Sequence, residues 1–159
     1  MMLYRLSKQA YCNDLSGYGA EKTGGRWNSK GVPMLYTASS RALAMVEIAV
    51  HVPLGIIPFN YYLTIIEIGG EESMLRANIA DFPPDWNKSP FIKATQLIGD
   101  NFIKSNTHLV LQVPSVIVPG DYNYLINPRH PLFKNVQVKP PSLLSLTFGY
   151  LKNQIKSGT

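Results

Sequence analysis

A carboxylate set in an apolar run is the first feature of this sequence that could do chemistry. Glu47 lies between Ala42 and Val52, where almost every other residue is apolar. At 100° per residue its helical neighbours would be Leu43, Ala44, Val50 and His51. Burying a charge is costly, so two readings stand. Either Glu47 and His51 share a narrow solvent face as an i, i+4 pair, or a rigid helix holds the carboxylate at a pocket wall. Upstream, Gly24-Gly25-Arg26-Trp27-Asn28 joins two flexible glycines to a guanidinium and a large aromatic. Arginine suits planar, bidentate capture of phosphate or carboxylate. The same segment also fits a tight turn with Trp27 in the core and Arg26 solvated. Tyr36 is either core or a platform for a ligand ring, and Ser115 after Pro114 is either a turn hydroxyl or a site donor.

The elements that must carry these residues follow from pattern. Leu3–Leu6 reads as a short strand, and residues 12–31, rich in Gly, Asn, Ser and Asp, as a long loop of the kind that is functional when ordered. Residues 32–37 read as a strand. Ser39 or Ser40 then caps a helix from Arg41 to about Val52, stopped by Pro53. Phe59–Ile68, dense in β-branched and aromatic residues, is the clearest strand. Ser89-Pro90 offers an N-cap and a proline at N1 for a helix reaching Asn106, with Phe91, Ala94, Leu97, Ile98 and Phe102 at helical spacing. Strands are expected again over 109–113, 115–118, 122–126, 136–138 and 143–150. Two helices among six or more strands, without regular alternation, make an α+β domain rather than a doubly wound parallel sheet.

Composition and motif searches close several routes. The 159 residues suit one domain, and 45% hydrophobic content supports a folded core. A net charge of +5 and a pI near 9.3 favour anionic partners, whether a polyanion or a phosphate-bearing small molecule. The single cysteine, Cys12, with His51, His108 and His130 far apart, gives no metal-ligand spacing, so no metal is expected. The N-terminal residues lack the pattern of a signal peptide, and no run is apolar enough to span a bilayer. The expectation is a cytoplasmic chain with no membrane partner. Gly17-Tyr18-Gly19 is followed by Lys22 where a dinucleotide fingerprint needs a third small residue. Phosphate-loop, His-Glu-x-x-His and Gly-x-Ser-x-Gly patterns are missing.

Taken in order, the motifs resemble the RES domain family of bacterial toxin–antitoxin systems, named for Arg, Glu and Ser. Leu3-Tyr4-Arg5 opens the pattern, followed by Leu15-Ser16-Gly17 and Gly24-Gly25-Arg26-Trp27-Asn28. Leu35-Tyr36-Thr37-Ala38-Ser39, the Ala42–Glu47 segment with His51, Val113-Pro114-Ser115, Asn123–Pro128 and His130-Pro131 complete it. The resemblance covers nearly the whole chain, read as one RES domain over residues 1–159. It implies a fold similar to ADP-ribosyltransferases, with central split β-sheets and flanking helices. It also implies a type II toxin that degrades NAD by cleaving the nicotinamide–ribose bond, by hydrolysis or phosphorolysis. NAD would then be substrate rather than cofactor.

Carried over by position, Glu47 and Arg26 are the implied catalytic residues, and Arg5, Arg26, Tyr36 and Ser115 the implied binding residues. Nicotinamide leaves as a neutral pyridine without a general acid, while the ribose carbon gains oxocarbenium charge that a fixed carboxylate stabilises. On this reading Arg26 holds a phosphate or ribose edge and Tyr36 stacks on nicotinamide. Ser115 bonds the carboxamide or orients Glu47. The implied partner is a cognate helix–turn–helix, Xre-like antitoxin, with no direct nucleic-acid binding by the toxin alone. Homo-oligomer formation is left open. Two other activities remain in play: ADP-ribosyl transfer to a protein from the same site, and a basic nucleic-acid-binding or nuclease toxin using Lys, Arg and the nine tyrosines. A catalytically inert binding module is a third alternative.

Overall fold

In the computed structural model, residues 1–51, 60–69 and 73–144 are described. Among the described residues, eight strands run in chain order: β1 (Met2–Lys8), β2 (Leu35–Ala38), β3 (Tyr61–Glu67), β4 (Met74–Arg76), β5 (Val110–Pro114), β6 (Tyr122–Ile126), β7 (Gln137–Val138) and β8 (Ser142–Leu143). Three α-helices accompany them: α1 (Tyr18–Thr23), α2 (Arg41–Ala49) and α3 (Lys93–Ser105). The strand path is β4-β5-β6-β2-β1-β3-β7, with β8 also pairing β3. The β4–β5 pair is parallel and the rest are antiparallel.

This sheet is split in the middle. β1 pairs β3 along seven residues, Met2↔Glu67 to Lys8↔Tyr61, and β2 pairs β6 along four. Between the halves, β1 and β2 share one register pair, Tyr4↔Ala38. One sheet face buries Leu3, Leu35, Ile66, Val110 and Ile126, with Phe133 and Val136 of the C-terminal region packed against them. On the other face, α3 brings Phe102 and Ile103 to Leu111, Val113 and Leu125 of one half. Beside it, α2 brings Leu43 and Ala44 to Leu6 and Leu63 of the other and to Ala38 at the end of β2. Tyr36 and Ala38 are two residues apart on β2, so they share a face. Tyr36 packs against the cluster under α3, and Ala38 belongs to the one under α2.

Most expected elements form, with informative shifts. Ser40 caps α2 by accepting from Leu43 N at 3.0 Å. The helix ends at Ala49, and Pro53, its expected stop, lies outside the described residues. Inside the expected 12–31 loop stands α1, with Gly17 (φ 75°) before it and Gly24 (φ 71°) after it, and no buried residue. A Cβ on Gly17 would stand 2.6 Å from Met34 N, so only glycine fits there.

Ser89-Pro90 does not open α3. Ile92 holds the N-cap position without a side-chain bond, and Asn106 closes the helix at φ 52°. The buried stripe of α3 is Thr95, Gly99, Phe102 and Ile103, while Phe91 and Leu97 are exposed. Backbone approach decides this face, because a Cβ on Gly99 would overlap the carbonyl of Trp27. The expected strand over residues 115–118 is a turn instead: the Ser115 hydroxyl accepts from Ile117 N and Val118 N, both at 3.1 Å, and draws the chain back on itself. β4 was not expected from pattern. Of the expected strand at 143–150, Leu143 falls in β8, and residues 145–150 lie outside the described residues.

Candidate active site

Where β1 and β2 part, a cleft of about 520 Å³ opens between the two halves of the sheet. Its size falls within the roughly 300–1,000 Å³ usual for small-molecule and cofactor sites. Arg5 lines it from β1, Tyr36 from β2, Glu47 from α2, His51 from just beyond the α2 C-cap, and Asn123 from β6. Tyr18 and Thr23 of α1 form an outer wall.

Glu47 is half-buried, and its surroundings are built to hold the carboxylate. Ser115 Oγ donates to Glu47 Oε1 at 2.8 Å, and Asn123 Nδ2 donates to the same oxygen at 2.6 Å. The Ser115 hydroxyl has one proton and two lone pairs. Its oxygen takes the two backbone N–H groups of the 115–118 turn, so the proton is committed to Glu47. Of the two expected placements for Ser115, beside the substrate carboxamide or behind Glu47, the second is the one observed. His51 does not pair with the Glu47 carboxylate. Its Nδ1 meets the Glu47 carbonyl oxygen at 2.7 Å, which requires the proton on that nitrogen.

Tyr36 presents its ring to the cleft, while its hydroxyl is spoken for. It donates to Asn28 Oδ1 at 2.7 Å and accepts from Trp27 N at 3.1 Å. Burial pushes the phenol well above its ordinary pKa, so the ring stays neutral. Asn28 is fully buried and donates to the carbonyls of Ala20, Ser29 and Val32. From α3, Gln96 donates to the carbonyls of Gly25 and Asn28, and Asp100 accepts from Ser29 N and Oγ. The 25–29 turn is thereby fixed to a rigid helix. Gly25 is needed within it, since a Cβ would stand 2.7 Å from the Tyr36 hydroxyl.

Arg26, expected to clamp substrate, projects from this turn and is half-buried. Its Nη1 donates to the carbonyls of Trp86 at 2.7 Å and Lys88 at 3.0 Å. It is not among the residues lining the cleft, yet its charge reaches the site. Burial lowers the guanidinium pKa, and Glu47 and Tyr36 act in the opposite direction. It stays protonated, as arginine does in proteins. Trp27 is buried against Phe82 and Trp86, with ring centroids 5.4 and 6.2 Å away. Arg5 points from the opposite face of β1 to Tyr4 and donates to the Tyr11 carbonyl at 3.0 Å, fastening residues 9–14 to the strand. Burial lowers its pKa, against the pull of Asp14 and Cys12.

The structure thus brings Glu47, Tyr36 and Arg5 to one cleft, with Ser115 behind Glu47 and Arg26 at its flank. Asn123 opens one of the motifs that carry the RES resemblance, but nothing in the sequence assigns it a role at the site. The signal was its place opposite Ala38 in β6, a register visible only once the strands are paired. No group of three or more His, Cys, Asp or Glu side chains able to hold a metal occurs among the described residues. Nor is any described helix long and apolar enough to cross a membrane.

A sequence model of the RES domain matches residues 2–148. The chain belongs to the RES domain family. Among its relatives, "Toxin Res" of Yersinia enterocolitica is 40% identical over 151 residues, covering 94% of this chain and 97% of that protein. "Prs ADP-ribosylating toxin" of Sphingobium sp. is 43% identical over 130 residues, covering 80% of each. A chain in the crystal structure of the M. tuberculosis MbcT–MbcA toxin–antitoxin complex superimposes with a TM-score of 0.73 at 20% identity. That match covers 91% of this chain and 84% of the other, and at this identity it shows the fold. The α+β architecture implied by the RES resemblance is the one found, with helices flanking one mixed eight-stranded sheet whose two halves share a single register pair.

Proposed function

We propose that this RES-family chain is the toxin of a toxin–antitoxin pair and that it cleaves the nicotinamide–ribose bond of NAD, with Glu47 as the catalytic carboxylate. The observation that carries this reading is Glu47 itself, a carboxylate held through Oε1 by Ser115 and Asn123 at the wall of a ligand-sized cleft. Donors on one oxygen fix the group, and a fixed anion beside the ribose carbon stabilises the charge that develops as nicotinamide departs. The ring of Tyr36, held by Asn28, offers a neutral stacking face for nicotinamide. Arg26 and Arg5 add positive charge that favours a dinucleotide pyrophosphate. NAD is substrate here, and the ribose carbon passes to water or to phosphate.

The name of the Sphingobium relative favours a second reading, in which the same activated carbon passes to a protein side chain. The neighbour solved as a toxin–antitoxin complex supports an antitoxin partner, for which we propose the helix–turn–helix type. Purified protein incubated with NAD, with and without phosphate, tests the reading once nicotinamide, ADP-ribose and phosphorylated products are resolved by chromatography. Nicotinamide release in step with NAD loss is expected. Absence of NAD loss under every condition would overturn it.

A further inference from the structure

Asn123 stands on β6 opposite Ala38 of β2 and Val113 of β5, half-buried, with its side chain at the cleft. A carboxylate oxygen can only accept, so the amide must turn its nitrogen toward Glu47. Oε1 of Glu47 then receives two donors, Ser115 Oγ from the end of β5 and Asn123 Nδ2 from β6. Among the described residues none donates to Oε2. We propose that Asn123 is a positioning residue that, together with Ser115, clamps Oε1 and so makes Oε2 the oxygen that meets the substrate ribose. The inference rests on the NAD-cleaving reading above.

The need for two clamps follows from the side chain. Glutamate reaches its carboxylate through three rotatable bonds, and ordering a long side chain has an entropic cost. One donor would leave the carboxylate free to swing about that contact. Two donors from different positions, added to the anchorage on α2, define its plane. An aspartate at 123 would have nearly the same shape, but it would set a second negative charge against Oε1 and offer no N–H. Shape and donation therefore make opposite demands at this position, and the difference can be measured.

The test compares Asn123→Ala and Asn123→Asp with the parent protein in steady-state NAD turnover, with thermal midpoints recorded without NAD. A donor acting on a charged group in the transition state corresponds to a kcat loss of about tenfold to a hundredfold in the Ala variant. KM should stay within about twofold, because the clamp acts through Glu47 rather than on bound substrate. The Asp variant should be slower than the Ala variant although it fills the same space. If Asp matches or exceeds Ala, Asn123 serves by shape and the proposal fails. A rise in KM with kcat kept would make Asn123 a substrate contact and would equally overturn it. If Ala does not fold, the near-isosteric Asp variant alone decides, since near-parental turnover there removes the clamp. A parent protein that leaves NAD intact brings down the functional reading itself, an outcome distinct from these.

Discussion

The two charged residues that flank the cleft are held in opposite ways. At Glu47 the protein spends side-chain donors on one oxygen of the carboxylate. At Arg26 it spends its own backbone carbonyls, those of Trp86 and Lys88, on one nitrogen of the guanidinium. The first arrangement orients a charge for use at the cleft wall. The second ties a turn to the backbone of a segment some sixty residues away, so Arg26 supports structure and supplies field at once, while the bonds of Glu47 join α2 to β6 and the end of β5 through side chains. A glutamine at 47 still accepts both donors on one oxygen, so the charge there can be neutralised with little effect on folding, whereas the guanidinium of Arg26 has no neutral isostere that keeps both donations.

The sharpest way to break this contrast is Glu47→Gln, which keeps the shape and removes the charge. Turnover should fall by about 10²–10³, the range seen when a preorganised electrostatic contact to a transition state is lost. The thermal midpoint should barely move. Near-parental turnover in the folded variant would return Glu47 to the role of a solvated helix residue.

Arg26→Lys and Arg26→Ala should both lose activity and both lose stability. An ammonium is a compact point charge on a shorter side chain, and even with its N–H groups on the two carbonyls it has no planar edge left to turn toward the site. Calorimetric NAD affinity, turnover and urea unfolding together read this out. A lysine variant matching the parent in all three would dissolve the distinction drawn here.

Ser115→Ala falls between the two cases. It removes one clamp from Glu47, for which about a tenfold loss of kcat is expected. It also strips the N–H groups of Ile117 and Val118 of their acceptor, a loss of about 1–3 kcal/mol in urea unfolding if they stay dry. Turnover lost without stability would place the hydroxyl on the Glu47 side alone.

The smallest effect concerns acid. The Ser16 hydroxyl, followed by its backbone N–H and more weakly by Arg5, holds the Asp14 carboxyl below its ordinary pKa, against a small opposing effect of burial. A depressed native pKa gives stability that is present above the unfolded value and is lost as pH falls through the folded one. Below about pH 4 the parent should therefore lose more of its thermal midpoint than Asp14→Asn does. Equal acid profiles would remove Asp14 from the forces ordering the outer wall.

Much of this arrangement was legible in the residues. Ser39 or Ser40 before an apolar run pointed to α2, capped by Ser40, and the β-branched density of Phe59–Ile68 pointed to β3, formed by Tyr61–Glu67. The RES pattern pointed to Glu47, Arg26, Arg5, Tyr36 and Ser115, of which the fold sets Glu47, Arg5 and Tyr36 along the cleft, Ser115 behind Glu47 and Arg26 at the flank. What escaped depended on long-range geometry. The carbonyls that take Arg26 carry no side-chain signal, because any residue at 86 or 88 supplies one. The 115–118 segment has the composition of a strand, and a single hydroxyl accepting two N–H groups overrides it. α1 was hidden by glycines that read as loop, though they are the residues able to take the positive φ at its two ends.

The lone Tyr4↔Ala38 pair has a thermodynamic consequence. With so few hydrogen bonds across the middle of the sheet, the β1–β3 half and the β2–β6 half with α3 are joined by α2, whose Leu43 and Ala44 pack on both and whose Glu47 takes donors from Ser115 and Asn123. The two halves can still open as separate cooperative units in amide exchange. A molecule seated between them touches Arg5 on one side and Tyr36 on the other. Whatever binds there acts as a crosslink, raising the protection of both units together and merging two opening events into one.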